Sequence, residues 1–221
     1  RAICDHNMVG NRCMNCHAFG NQDPNLSMVY IRGEGGGAIL NRNGKLRKLN
    51  LKNANMISSS VYYGFSPSGK YVTFSTNIII PAFHANAEKR LEVYDSKSDV
   101  YVADLDNNRI ISSPLTSDST HLETFPTFSP DGKYVYYCAA DRKGLESTNL
   151  KGLKYSLVRI PFDEKTGSFG TNIDTLYKER SVCHPKISPD GRYCLFTVAD
   201  YGTFPIWHPE ADLYMMDLQT G

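Results

Sequence analysis

The sequence predicts an all-β fold, a β-propeller of four-stranded antiparallel blades with about four blade-like units. Two observations lead there. One turn motif recurs three times: Phe65-Ser66-Pro67-Ser68-Gly69-Lys70-Tyr71-Val72, Phe128-Ser129-Pro130-Asp131-Gly132-Lys133-Tyr134-Val135 and Ile187-Ser188-Pro189-Asp190-Gly191-Arg192-Tyr193-Cys194, at intervals of 63 and 59 residues. The flanking residues are β-branched or aromatic and largely alternate, as suits a pleated, half-buried sheet.

Each position of the turn has a physical reason. Pro pre-sets φ at the second position, Asp or Ser bonds back to the backbone, and Gly takes the positive φ that closes the turn. Two strands must therefore meet at each motif. A further strand follows in each unit, at residues 99–105, 155–160 and 212–218, and a fourth comes next in the first two, as at Arg109-Ile110-Ile111. Four antiparallel strands per repeat describe a blade. A degenerate earlier unit is read at residues 28–32, 38–41 and 45–49, with Asn43-Gly44 in its hairpin turn. The expected division is a Cys/His-rich segment at 1–24, then blades at 25–57, 58–115, 116–177 and 178–221. The last unit stops where its outer strand should begin. That favours a fragment of a larger propeller over a small ring closed by residues 1–10.

Composition excludes several classes. Of 221 residues, 24 are Lys or Arg and 23 Asp or Glu, a net charge of +1 that gives no field for nucleic acid. The longest apolar run, residues 78–83, falls far short of the roughly 20 residues that cross a bilayer, so no transmembrane segment is expected. The chain opens on Arg1, consistent with removal of a leader or lipid anchor.

The chemical motif is Cys13-Met14-Asn15-Cys16-His17, the pattern of a c-type haem attachment site. Two thiols three residues apart can add to the two vinyl groups of one haem, and the adjacent imidazole then reaches the iron. Met28 is the first choice of distal ligand, ahead of Met8, His6, His84 and His208. Zinc held by Cys4, His6, Cys13 and Cys16 is the alternative cofactor, and a disulfide or free thiols at Cys13 and Cys16 the third reading. Cys138, Cys183 and Cys194 lie in apolar surroundings and are expected as buried thiols, with a bridge between Cys183 and Cys194 as the alternative.

Long insertions at 77–98, 140–154 and 200–211 should emerge on one face of a propeller. Phe83, His84, Phe204, Trp207 and His208 make that face a candidate partner-binding surface. Tyr62, Phe125 and His184, each four residues before a turn Ser, should ring the channel mouth there. Other signals fail. The Gly-rich stretch 33–38 precedes a hairpin rather than a helix, Asp104 to Asn108 suit a turn better than calcium, and no Gly-x-Ser-x-Gly occurs. No catalytic constellation is present, so the expectation is a non-enzyme.

The repeat 128–137, together with Asp212-Leu213-Tyr214-Met215-Met216-Asp217-Leu218-Gln219-Thr220-Gly221, resembles that of TolB-type (WD-like) propellers over about residues 58–221. The resemblance implies a bacterial cell-envelope or periplasmic module that binds a protein or peptide. Propellers of this kind also regulate prolyl-oligopeptidase-like peptidases, which leaves a regulatory propeller as a further alternative.

Overall fold

The three Ser-Pro-x-Gly turns fold alike because their donors and acceptors are the same. In the computed structural model, which describes residues 7, 13–83, 91–142 and 150–221, with Trp207 by its backbone only, Ser66, Ser129 and Ser188 donate their N–H to the carbonyls of Tyr71, Tyr134 and Tyr193 at 2.8–3.0 Å. Their hydroxyls accept the same tyrosines' N–H groups at 2.8–3.2 Å. Gly69, Gly132 and Gly191 close the turns at φ of 67°, 72° and 74°. A Cβ on Gly132 would stand 2.9 Å from Glu164 Oε1. Gly132→Ala should therefore lower the unfolding free energy by about 1–2 kcal/mol, the cost of a left-handed residue with a side chain, as read by urea denaturation.

These turns join strands into four antiparallel sheets. The first holds β1 (Met14–Gly20), β2 (Asp23–Ile31), β3 (Gly37–Arg42) and β4 (Lys45–Leu49). The second holds β5 (Ser60–Phe65), β6 (Tyr71–Phe83), β7 (Leu91–Asp104) and β8 (Arg109–Ile111). In the third, β9 (His121–Phe128), β10 (Tyr134–Asp141) and β11 (Ser156–Asp163) are followed by an outer strand broken into β12 (Ser168–Phe169) and β13 (Asp174–Tyr177), both on β11. The fourth holds β14 (Ser181–Ile187), β15 (Tyr193–Ala199) and β16 (Asp212–Asp217). The first strands of successive sheets are neighbours, β1 against β5, β5 against β9 and β9 against β14, which is the inner row of a propeller. The all-β, blade-built class expected from the repeats is the class observed.

Apolar side chains fill the spaces between sheets. Met28, Leu40, Phe74 and Tyr101 pack between the first and second, Tyr71, Val100, Tyr137 and Val158 between the second and third, and Leu122, Cys138, Leu157 and Phe196 between the third and fourth. Each such large side chain removed from water contributes about 1.5–3 kcal/mol. Cys138, Cys183 and Cys194 are buried there as free thiols. Cys183 lies opposite Thr197 and Cys194 opposite Ile187, so the two do not face each other in the ladder.

Two differences from the sequence reading matter. The division placed at residue 24 falls inside β2, because Met14–Gly20 is the inner strand of the first sheet and pairs with β2 from Met14↔Ile31 to Gly20↔Asp23. Its turn escaped the motif: Asn21 and Gln22 sit at φ of 50° and 58°, without Pro or Gly. The 77–98 insertion is largely a hairpin, since β6 and β7 stay paired from Asn77↔Ser98 out to Phe83↔Leu91. Residues 1–6 and 8–12 lie outside the described residues, and with them the ring-closing strand and the candidates Cys4, His6 and Met8.

Candidate functional site

A bulge interrupts the inner strand of every sheet at the same place. In β1, Asn15 pairs with Tyr30 and Ala18 with Met28, so Cys16 and His17 together oppose one residue. The same count holds for Tyr62 and Tyr63 in β5, Phe125 and Pro126 in β9, and His184 and Pro185 in β14. The first residue of each pair is left-handed: Cys16 at φ 52°, Tyr62 at 55°, Phe125 at 52° and His184 at 51°. A side chain in that region costs about 1–2 kcal/mol, so four repetitions mark a position the packing enforces. The spacing from the turn Ser locates three of the four. Cys16 also lies four residues before its turn, but only the bulge itself identifies it.

The bulges turn side chains toward a common axis. Phe125 stacks on His184 with ring centroids 4.0 Å apart, on Tyr62 at 4.7 Å and on Phe204 at 5.6 Å. Phe204 comes from the 200–211 connection and lies over the other rings. Phe125 is 3% exposed, so it plugs the channel rather than ringing an open mouth. His184 is exposed in part, its ring lying partly buried against Phe125. Loss of solvent against the aromatics, with the nearby Lys186, lowers its pKa. Cys16 joins this row: the Tyr62 backbone N–H bonds to its thiol, and burial raises the thiol's pKa.

Above the rings, the second and fourth sheets are tied together by buried polar groups. His208 is fully buried, with Nε2 2.7 Å from Glu92 Oε1 on β7 and Nδ1 2.9 Å from Glu210 Oε1. His208 therefore holds the 200–211 connection on the β6–β7 hairpin, which corrects its assignment to a partner-facing surface and as a haem ligand. Three residues after Glu92, Asp95 accepts hydrogen bonds from Asn77 Nδ2 at 2.9 Å and the Tyr155 hydroxyl at 3.3 Å, and its N–H donates to Thr203 Oγ1 at 3.1 Å. Burial pushes its pKa up to about 7, against the lowering effect of those two donors. A carboxyl whose folded pKa is raised holds its proton longer than in the unfolded chain. Its contribution is thus intact at low pH and is lost as pH rises from about 4 through 7. Asp95→Asn should flatten the stability-against-pH curve over that window by up to about 1.4 kcal/mol per pH unit, measured by denaturation at pH 4 to 8.

The outer rim carries exposed apolar groups. Phe83 is 81% exposed at the hairpin tip, with Ile78, Ile79 and Ile80 exposed along β6. Ile206 is 80% exposed in the 3₁₀ turn Pro205–Trp207. The partner-face candidates His84 and the Trp207 side chain lie outside the described residues.

The haem motif is placed on β1 as follows. Cys13 and Cys16 are unbridged, and Cys13 and His17 are exposed. His17 borders a cavity of about 740 Å³ at the opposite channel mouth, walled by Phe19, Phe65, Phe128 and Ile187. The thiols are free and the imidazole is accessible, as haem attachment requires, but neither Cys13 nor Cys16 lines this cavity, whose wall also carries Asn21, Gln22, Ser129 and Lys186. Met28 does not fit a haem: it is 1% exposed within the core between the first two sheets, among Ala38 and Leu40, so its assignment as distal ligand is withdrawn.

No protein-family model matches the chain. It is 38% identical over 56 residues to dipeptidyl-peptidase 5 of Porphyromonas endodontalis, a stretch that is 25% of this chain and 8% of that protein. Among solved structures, a putative TolB from Agrobacterium tumefaciens matches with a TM-score of 0.60 at 18% identity, over 96% of this chain and 62% of that one. Prolyl oligopeptidase B from Galerina marginata matches with a TM-score of 0.54 at 12% identity, over 97% and 29%. The chain thus spans less than two thirds of each. At such identities the likeness is one of fold. In fold, the chain is a TolB-like β-propeller of four-stranded antiparallel blades.

Proposed function

We propose that this chain is a propeller binding module of the bacterial cell envelope, whose elaborated face takes a protein or peptide segment. The observation that carries this reading is the exposure of Phe83, Ile206 and the β6 isoleucines on rigidly tethered elements. Apolar groups of that size in water are the anchors of an interface, and here the buried Glu92–His208 contact pre-organises the elements that hold them. Among the described residues no helix is long and apolar enough to cross a membrane. The test is site-specific photo-crosslinking in the native host. Probes at Phe83 and Ile206 should join one and the same partner, while a probe at Asn107, on the turns of the other face, should not. Equal labelling from all three positions would overturn the reading.

The bulge at Cys16 and His17 supports a second feature of the same module, a covalent c-type haem at Cys13 and Cys16 with His17 beside the iron. Bound there, the haem would supply one-electron redox chemistry. The chain's own part is to fix the imidazole at the rim of the cavity and shield one side with Phe19, Phe65 and Phe128. Regulation of a peptidase would use the same face, and labelling of the intact parent by a serine-reactive probe distinguishes it.

A further inference from the structure

Away from the axis, a second cluster of donors stands at the junction of the second and third sheets. His121 and Glu123 are two residues apart on β9, so the pleat sends both side chains to one face. Asp118 lies just before them in the connection between the sheets. Its Oδ1 accepts the N–H groups of Thr120 and His121, at 2.5 and 3.0 Å, and its Oδ2 is 2.9 Å from His121 Nδ1. One ligand atom from each of the three lies within 4.8 Å of the others.

The independent observation is Glu123. Its side chain is 2% exposed, and its Oε2 has no hydrogen-bond partner. A carboxylate oxygen buried without a donor costs free energy that natural interiors rarely leave uncompensated. A carboxylate oxygen of the same side chain lies within 4.8 Å of donor atoms of both His121 and Asp118. A cleft lined by Asp99, Tyr101, Ser117 and Arg142 reaches Asp118 and His121 from solvent, with Glu123 buried behind them.

We propose that Asp118, His121 and Glu123 bind a divalent first-row transition cation through two carboxylate oxygens and one imidazole nitrogen. Bonds of about 2.0–2.2 Å place neighbouring donors roughly 3–3.5 Å apart; Asp118 Oδ2 and His121 Nδ1 stand 2.9 Å apart, and a Glu123 oxygen lies within 4.8 Å of donor atoms of both. Borderline imidazole with hard carboxylates suits zinc or manganese rather than a thiolate-seeking ion. Such an ion clamps the connection to β9 and supplies the charge that Glu123 lacks.

The test uses the full chain with Cys4, Cys13 and Cys16 replaced by Ser, so that the N-terminal thiols cannot compete, and Zn²⁺ as the probe. Calorimetry should find one site per chain, and Zn²⁺ should raise the melting temperature over that in EDTA. Glu123→Gln, which keeps the shape, and Asp118→Asn, which keeps one oxygen for the Thr120 and His121 N–H groups, should each weaken Zn²⁺ at least about 10-fold, the lower end of what even outer-shell losses cost. If Glu123→Gln does not fold, Asp118→Asn alone decides. Absence of Zn²⁺ binding to the parent, or binding to the folded variants as tight as to the parent, overturns the proposal.

Discussion

Phe125→Ala should destabilise the protein by about 3–5 kcal/mol, measured by chemical denaturation, the range for removing a buried aromatic ring. The effect is large because Phe125 is the hub of the axial cluster: the rings of Tyr62 from the second sheet and of His184 and Phe204 from the fourth all contact it. Its backbone supplies an internal control. At φ 52° Ala keeps the left-handed penalty of about 1–2 kcal/mol, whereas Gly is free of it. Phe125→Gly should therefore be no less stable than Phe125→Ala, the reverse of the usual order in a strand. A loss below about 1 kcal/mol for the alanine variant would show that the rings do not hold the axis together.

Replacing Cys13 and Cys16 together by Ser should abolish covalent haem, the largest functional change expected of any substitution in the chain. Protein matured with the attachment machinery should carry one haem by mass and a Soret band, and the double variant should carry neither. His17→Ala keeps both thiols, so haem should remain attached with an altered spectrum. Parent protein that matures without added mass would contradict the haem reading while leaving the binding face untouched.

The turns were legible because local chemistry decides them. Ser, Pro, Asp and Gly bond within six residues, so the sequence shows both the motif and its reason. From those turns the offset to Tyr62, Phe125 and His184 follows. Cys16 escaped because its turn is made by Asn21 and Gln22 at positive φ, where Asn is a common choice but Gln is not, so the pair lacks the Ser-Pro-x-Gly pattern of the other three. Contacts between distant segments were not legible at all. Glu92 and His208 are 116 residues apart, and nothing in either neighbourhood announces a buried contact between them. Met28 failed for a related reason: proximity in sequence to Cys16 suggested a ligand, but β2 turns its side chain into the core between the first two sheets. The His121 and Glu123 alternation on β9 could have been noticed, but Asp118 joins them only through the shape of its loop.

Cys16 at the propeller axis, carried there by an inner strand that begins at Met14, is what links the chemistry of the N-terminus to the binding face. A cysteine introduced by Tyr62→Cys, in haem-free protein with Cys13→Ser, should form an intramolecular disulfide with Cys16 under mild oxidation, identified by mass spectrometry of the non-reduced peptides. A Tyr62→Cys thiol that stays free, or bridges another cysteine while Cys16 remains reduced, would mean that Met14–Gly20 is not the inner strand beside β5.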